Sequence, residues 1–322
     1  YEQGLLAVSD LGDTQLIGCL NDDNVLAWYG KAIALLPRLG SVALELEPFD
    51  EAFMARENAI FPEWLLGHHL NLILDETEQQ LLDEMFACLT ENNLAQPQGV
   101  MHRDFHSRNL MVCGGDTPDD SRLAVIDFQD MVMGPLSYDL VSLLKDCYVR
   151  WPDEVIEQGM GHGFDTLSRA GLLGGLDYAS FRRHADLTGM QRHLKAAGLF
   201  TRLYHRDGKS GYLKDIPRTL GYYVHHYGHR ILGLRAWLNL MLGRHPIWRA
   251  LRRRLSRKAS AGSQAQEVEA RGPSLEDPKV RAFLQNAYGR ALSSGVQMLA
   301  FAIALLGLLL ATLPSREAAA TD

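Results

Sequence analysis

Val100-Met101-His102-Arg103-Asp104-Phe105-His106-Ser107-Arg108-Asn109-Leu110-Met111-Val112, taken with Leu123-Ala124-Val125-Ile126-Asp127-Phe128, is the stretch whose reading decides the fold. Each half reads as a β-strand bordering a cluster of polar side chains. Gly114, Gly115, Asp116, Pro118 and Asp119 supply a turn between the halves. The polar clusters at the strand ends are expected to form one active site.

The spacing carries a chemistry. In the pattern H-R-D-x-x-x-x-N the Asp accepts or orients the proton of an attacking hydroxyl, and the Asn turns back to ligate magnesium on a nucleotide. Asp104 and Asn109 hold these places. A second carboxylate at the end of a nearby strand must hold the metal that bridges the phosphates, and Asp127 stands there. Hard oxygen ligands suit magnesium, which takes only one or two protein carboxylates. An isolated Asp or Asn in a loop is usually a turn or cap residue. Four identities at fixed spacing, in a strand–turn–strand context, are much harder to meet by accident.

Outward from this stretch, 322 residues with 47% hydrophobic content are ample for a packed core, as two domains or one two-lobed one. A net charge of −7 gives no electrostatic footprint for nucleic acid. Cys19, Cys88, Cys113 and Cys147 are widely spaced and read as reduced residues of a cytoplasmic protein. The histidines at 68, 69, 225, 226 and 229 lack an H-E-x-x-H arrangement, so no structural zinc is expected.

The chain opens with a short apolar strand at residues 4–8 and a turn at 9–13, then helical spacing over 22–39. Residues 49–70 read as helical, with Pro62 marking a break or a new start, and residues 77–91 as another helix. Gly134-Pro135 leads into a helix carrying Asp139, which suits either a cap or a brace for the polar loop. Residues 151–228 are expected to be mostly helical, including 181–200. The polar segment 204–211 reads as a loop without P-loop spacing.

His102-Arg103-Asp104…Asn109, Val125-Ile126-Asp127-Phe128 and Gly134-Pro135…Tyr138-Asp139-Leu140 resemble the aminoglycoside phosphotransferase/choline kinase group. Phe61-Pro62-Glu63-Trp64, Gln129-Asp130, Gly189-Met190-Gln191-Arg192-His193-Leu194-Lys195 and Asp215-Ile216-Pro217-Arg218 are similar to its bacterial anomeric kinases of N-acetylmuramate and N-acetylglucosamine, enzymes of cell-wall recycling. The resemblance implies an α+β, protein-kinase-like fold, mainly its helical C-lobe. It implies ATP as donor, Mg2+ as cofactor, and an amino sugar as acceptor at its anomeric hydroxyl. By the same resemblance Asp104 is the catalytic base, Asn109 and Asp127 carry the metal, and Asp139 with His102 braces the loop. Ser9, Asp10 and Leu11 fall at the hinge that touches adenine. Arg103, His106, Asp130, Gln191 and Arg192 fall where the sugar is held.

The expected division is a last N-lobe strand and hinge at 1–20, a C-lobe at 21–228, a basic amphipathic segment at 229–258, a linker at 259–278 and a tail at 279–322. A glycine-rich loop and an N-lobe lysine do not precede the hinge. The expectation is therefore a fragment or a split enzyme with little kinase activity alone, and a non-catalytic kinase-like binding protein is the alternative. An activation loop has little room between Asp127 and Gly134, which argues against a protein kinase. The apolar run 296–313 is near the minimum length for crossing a bilayer. It reads as an anchor holding the domain at the inner face of the membrane, with a buried helix as the other reading.

Overall fold

The computed structural model describes residues 9–222 apart from 70, 72 and 75. The strand expected at 4–8, the basic segment 229–258, the linker 259–278 and the tail with its apolar run 296–313 lie outside the described residues. Among the described residues no helix is long and apolar enough to cross a membrane. These residues fall into two compact units, one within Tyr1–Leu72 and Leu89–Thr219, the other within Ile73–Cys88 and Leu220–Asp322. The candidate site lies wholly in the first.

The helical pattern at 22–39 becomes two helices, α1 (Val25–Ile33) and α2 (Leu36–Gly40), because Pro37 cannot donate to a continuing ladder and instead sits in the first turn of α2. Helix α3 (Glu51–Ile60) starts at Asp50, whose carboxylate accepts from the Phe53 amide at 2.8 Å. At Phe61 the winding widens into a π-helical segment, Phe61–His69, so Pro62 marks a change of helix type rather than an end. Helix α4 spans Glu76–Leu94, longer at both ends than its apolar periodicity indicates.

Four short strands follow: β1 (Gln98–Met101), β2 (Leu110–Gly114), β3 (Ser121–Val125) and β4 (Val132–Pro135). β2 and β3 form an antiparallel hairpin from Leu110↔Val125 to Gly114↔Ser121, and β1 pairs antiparallel with β4. The hairpin turns at Gly114, whose φ of 101° is closed to most side chains. The polar loop 102–109 therefore runs from one ribbon to the other, and Asp127 lies on the return path.

Helix α5 (Ser137–Leu144) is buried along its whole length. Helix α6 (Asp153–Arg169) lays Gly159 and Gly163 against Leu144 and Leu140 of α5, leaving no room for a Cβ at either glycine. Helix α7 (Tyr178–Asp207) is the spine of the unit, in contact with the π-helical segment, α5 and α3. Asp177 caps its start by accepting from the Ser180 amide at 2.9 Å. Gly208, with φ 68°, ends it as its own amide and that of Lys209 reach back to Tyr204 and Leu203. Residues 204–207, expected in a loop, are thus its last turn. A 3-10 turn (Ser210–Asp215) leads into α8 (Ile216–Tyr222).

The core beneath the polar loop gathers Phe49, Phe53, Met54, Met101, Val132 and Tyr138, joining the start of α3 to both strands of the β1–β4 ribbon and to α5. At roughly 1.5–3 kcal/mol for each large apolar side chain fully buried, this cluster fixes where β1 ends and the loop begins.

Candidate active site

The loop leaves β1 at His102 and is held from below by α5. Asp139, in the first turn of that helix, accepts from the His102 amide at 2.7 Å and the Arg103 amide at 3.0 Å. Its carboxylate serves the loop and is not the helix cap. Complete burial pushes the Asp139 pKa up to about 7, against the two amide bonds that favour the charged form. Just past the end of α5, Asp146 accepts from the Ser107 amide at 3.0 Å and its hydroxyl at 2.5 Å. One helix and its end therefore grip both halves of the loop.

His102 Nε2 lies 3.0 Å from the Ile126 carbonyl, so Nε2 carries the proton, and burial lowers the pKa of the ring. The Ile126 amide in turn donates to the Asn109 carbonyl at 3.0 Å. These bonds bring Asp127 beside the loop. Asn109 Nδ2 donates to the Asp104 carbonyl at 3.0 Å and lies 3.4 Å from Asp127 Oδ2, while Gln129 Nε2 donates to Asp127 Oδ1 at 2.8 Å. Asp104, Asn109 and Asp127 are thus in one place, as their spacing predicts. With Nδ2 so engaged, the Asn109 carboxamide oxygen and the Asp127 carboxylate are the hard donors left for a cation. Such a pair fits magnesium, which completes its shell with phosphate oxygens and water. Among the described residues no group of three or more His, Cys, Asp or Glu makes an all-protein metal cage.

Arg103 and Asp127 both adopt left-handed backbone conformations, with φ 74° and 66°. Such residues cost about 1–3 kcal/mol each and persist where surrounding bonds over-determine them. For Arg103 those bonds are the Asp139 clasp on its amide and a side chain spread over Phe53 at 4.9 Å. Its guanidinium donates to Glu57 at 2.5 Å and to the Asp130 carbonyl at 3.2 Å.

The loop faces an open cleft of about 470 Å³. Arg56, Arg103, Lys195 and Arg202 line it together with Glu57, Glu63, Asp104 and Asp130, so basic and acidic groups balance. Phe53 and Trp64 add apolar wall, Trp64 being stacked on His68 at 4.7 Å. Of its charged residues Arg56, Glu57, Glu63, Lys195 and Arg202 are not among the site residues expected from the sequence. Glu57 Oε1 accepts from Lys195 Nζ at 2.7 Å as well as from Arg103. Burial alone would raise the Glu57 pKa, but the two cations hold it below the ordinary value. Lys195 is pushed up to about 12, because Glu57, Tyr138 and Asp104 outweigh the burial that would lower it.

A second, smaller cavity of about 50 Å³ shares Asp104, Lys195 and Leu199 with the cleft and is lined also by His106, Tyr138, Tyr148 and Arg192. For Asp104 itself burial would raise the pKa, and the charges of Lys195, His106, Arg192 and Arg103 more than reverse it. The carboxylate is therefore ionised at neutral pH, the state a proton acceptor needs.

The remaining expected residues are distributed unevenly. Asp130 lines the cleft, but His106 and Arg192 line the small cavity instead. Gln191 reaches neither, because its side chain is buried and donates to Asn58 at 3.1 Å between α7 and α3. Near the expected hinge, Asp10 accepts from the Gly12 amide at 2.9 Å, Leu11 presents its carbonyl to the Cys113 thiol at 3.4 Å, and Ser9 is exposed. The segment then bridges Gln15 to Met111, adding itself to the edge of β2. A signal for the residues that escaped does exist in the sequence. Glu57 follows Phe53 and Met54 on one face, Lys195 stands at the head of the small and apolar run 196–200, and Asp146 lies seven residues after Asp139.

Residues 1–173 match the model of the phosphotransferase enzyme family. An N-acetylmuramate/N-acetylglucosamine kinase of Pseudomonas putida is 37% identical over 223 residues, covering 69% of this chain and 64% of that protein. Its counterpart in Neisseria meningitidis is 38% identical over 225 residues, covering 68% and 66%. An ethanolamine kinase structure from Plasmodium vivax aligns with a TM-score of 0.48 at 12% identity, covering 66% of this chain and 62% of that one. The alignments thus span less than two thirds of the length of these relatives.

Proposed function

The chain belongs to the phosphotransferase enzyme family, and we propose that it carries the catalytic lobe of an ATP-dependent kinase whose acceptor is the anomeric hydroxyl of N-acetylmuramate or N-acetylglucosamine. The observation that carries this reading is the junction of Asp104, Asn109 and Asp127, of which Asp104 lines the cleft. The acceptor is taken from the names of the relatives in Pseudomonas and Neisseria. The cleft supports it, since its balanced lining suits a neutral or singly charged sugar better than a polycation. Its volume falls within the range of about 300–1,000 Å³ typical of small-molecule sites.

In this reading Asp104 accepts the proton of the attacking hydroxyl as its oxygen bonds to the γ-phosphorus of ATP and the bond to the β-bridging oxygen breaks. Asn109 Oδ1 and the Asp127 carboxylate would hold Mg2+, which would supply charge neutralisation on the phosphates. Arg103 and Lys195, tied back by Glu57, keep positive charge beside the reacting oxygens. Residues 9–11 form the hinge toward the nucleotide, with residues 1–20 as the end of an N-lobe and 21–228 as the C-lobe. The reaction belongs to cytoplasmic cell-wall recycling.

The test is phosphorus NMR of the full chain with ATP, Mg2+ and each sugar. The chain alone is expected to form a sugar 1-phosphate slowly, and Asp104→Asn to form it about 10²–10⁴-fold more slowly still with the fold retained. Failure to phosphorylate either sugar would overturn the acceptor.

A further inference from the structure

The four basic residues of the cleft are not equivalent. Arg56 pairs with Glu47 at 2.9 Å, while Arg103 and Lys195 share Glu57. Arg202 makes no ion pair among the described residues, and its Nε is buried without a hydrogen-bond partner. It is half-buried and projects from α7 into the lining of the cleft that Asp104 faces, where no carboxylate of the cleft pairs with it, although Asp207 five residues on feels its charge. A buried donor left unpaired is costly, and a ligand oxygen can satisfy it.

Its place along the helix sets the distance it serves. Arg202 follows Lys195 by seven residues, two turns along the same face of α7, which is roughly 10 Å of rise. Lys195 lies beside Asp104, where the hydroxyl reacts. A ligand whose reacting hydroxyl sits at Asp104 and whose far edge carries an anion spans this interval. Arg192, the other arginine of α7 near Asp104, is turned into the small cavity with Nη1 3.4 Å from Cys147 Sγ, and does not serve the cleft.

We propose that Arg202 is a specificity-determining residue that reads a carboxylate on the acceptor, so that the site prefers an acidic amino sugar over its neutral counterpart. A planar guanidinium matches a carboxylate with two parallel hydrogen bonds, which a point charge does not reproduce. The inference rests on the sugar-kinase reading and adds the order of preference within it.

Calorimetric titration of the full chain with N-acetylmuramate and with N-acetylglucosamine tests it. The acidic sugar is expected to bind more tightly, and the ratio of the two affinities to fall about tenfold in Arg202→Gln, equivalent to about 1.4 kcal/mol. Arg202→Lys is expected to recover part of the ratio. In the unsubstituted protein, raising salt is expected to weaken the acidic sugar selectively. An unchanged ratio in Arg202→Gln, or equal salt sensitivity for both sugars, overturns the proposal while leaving the sugar-kinase reading intact. Binding of neither sugar overturns both.

Discussion

Glu57 and Lys195 meet 2.7 Å apart across the junction of α3 and α7, and the same carboxylate oxygen takes the Arg103 guanidinium. The flank of Asp104 is thus built from an ion cluster whose members come from three distant parts of the chain. Removing one member of a buried pair leaves the others uncompensated, at about 3–5 kcal/mol.

Glu57→Gln is therefore expected to be destabilised at pH 7, with the gap from the unsubstituted protein closing in acid. The sign follows from the depressed pKa of Glu57, whose ordinary value is 4.5. Its stabilisation is fully present above about that pH and is lost as pH falls through the lower folded-state value. Urea unfolding at pH 7 and below pH 4 measures the gap, which must narrow toward the acid end.

Gly198→Ala tests the packing that creates this cluster. A Cβ at Gly198 would stand 2.5 Å from the Ile60 carbonyl oxygen and 2.8 Å from Phe61 Cα, both backbone atoms that cannot swing away. Gly198 is one turn beyond Lys195, and Ile60 one turn beyond Glu57. The substitution is expected to cost about 1–3 kcal/mol, read as a lowered thermal midpoint. Sugar phosphorylation is expected to fall further than the unfolded fraction accounts for.

Asp139→Ala is expected to leave the His102 and Arg103 amides without their acceptor, at about 1–3 kcal/mol for each. With its left-handed backbone unsupported, Arg103 is expected to relax, lowering kcat more than it raises KM. Asp139→Asn keeps one acceptor oxygen and should fall between the two. Steady-state kinetics beside thermal unfolding separate the effects.

Asn109→Ala and Asp127→Ala each remove one of the two hard oxygen donors that meet beside Asp104. The expected result is a rise on the order of tenfold or more in the Mg2+ concentration for half-maximal rate. A magnesium titration at saturating sugar reads it directly.

Much of the fold and the proposed reacting groups were legible because they are local. Asp104, Asn109 and Asp127 are fixed by one hairpin and its approaches, and the Gly114 turn announces that hairpin. Asp139 was legible as a brace because it lies just inside a helix start, next in space to the loop. Glu57, Lys195 and Arg202 were not, since a charge on a helix normally marks a solvated face. Only the close approach of α7 to α3 at Gly198 turns these three toward Asp104. The end of α7 was misread for a different reason: residues 204–207 are polar, and the Gly208 cap, not composition, decides where that helix stops.

The grip of Asp139 and Asp146 on the loop has a kinetic meaning. The amides of His102, Arg103 and Ser107 donate to carboxylates carried by α5 or its immediate end. They can exchange with solvent deuterium only when that buried helix opens. A segment with the composition of a surface loop thereby takes on the exchange lifetime of the core, so residues 102–107 open as a unit with α5 and not one residue at a time.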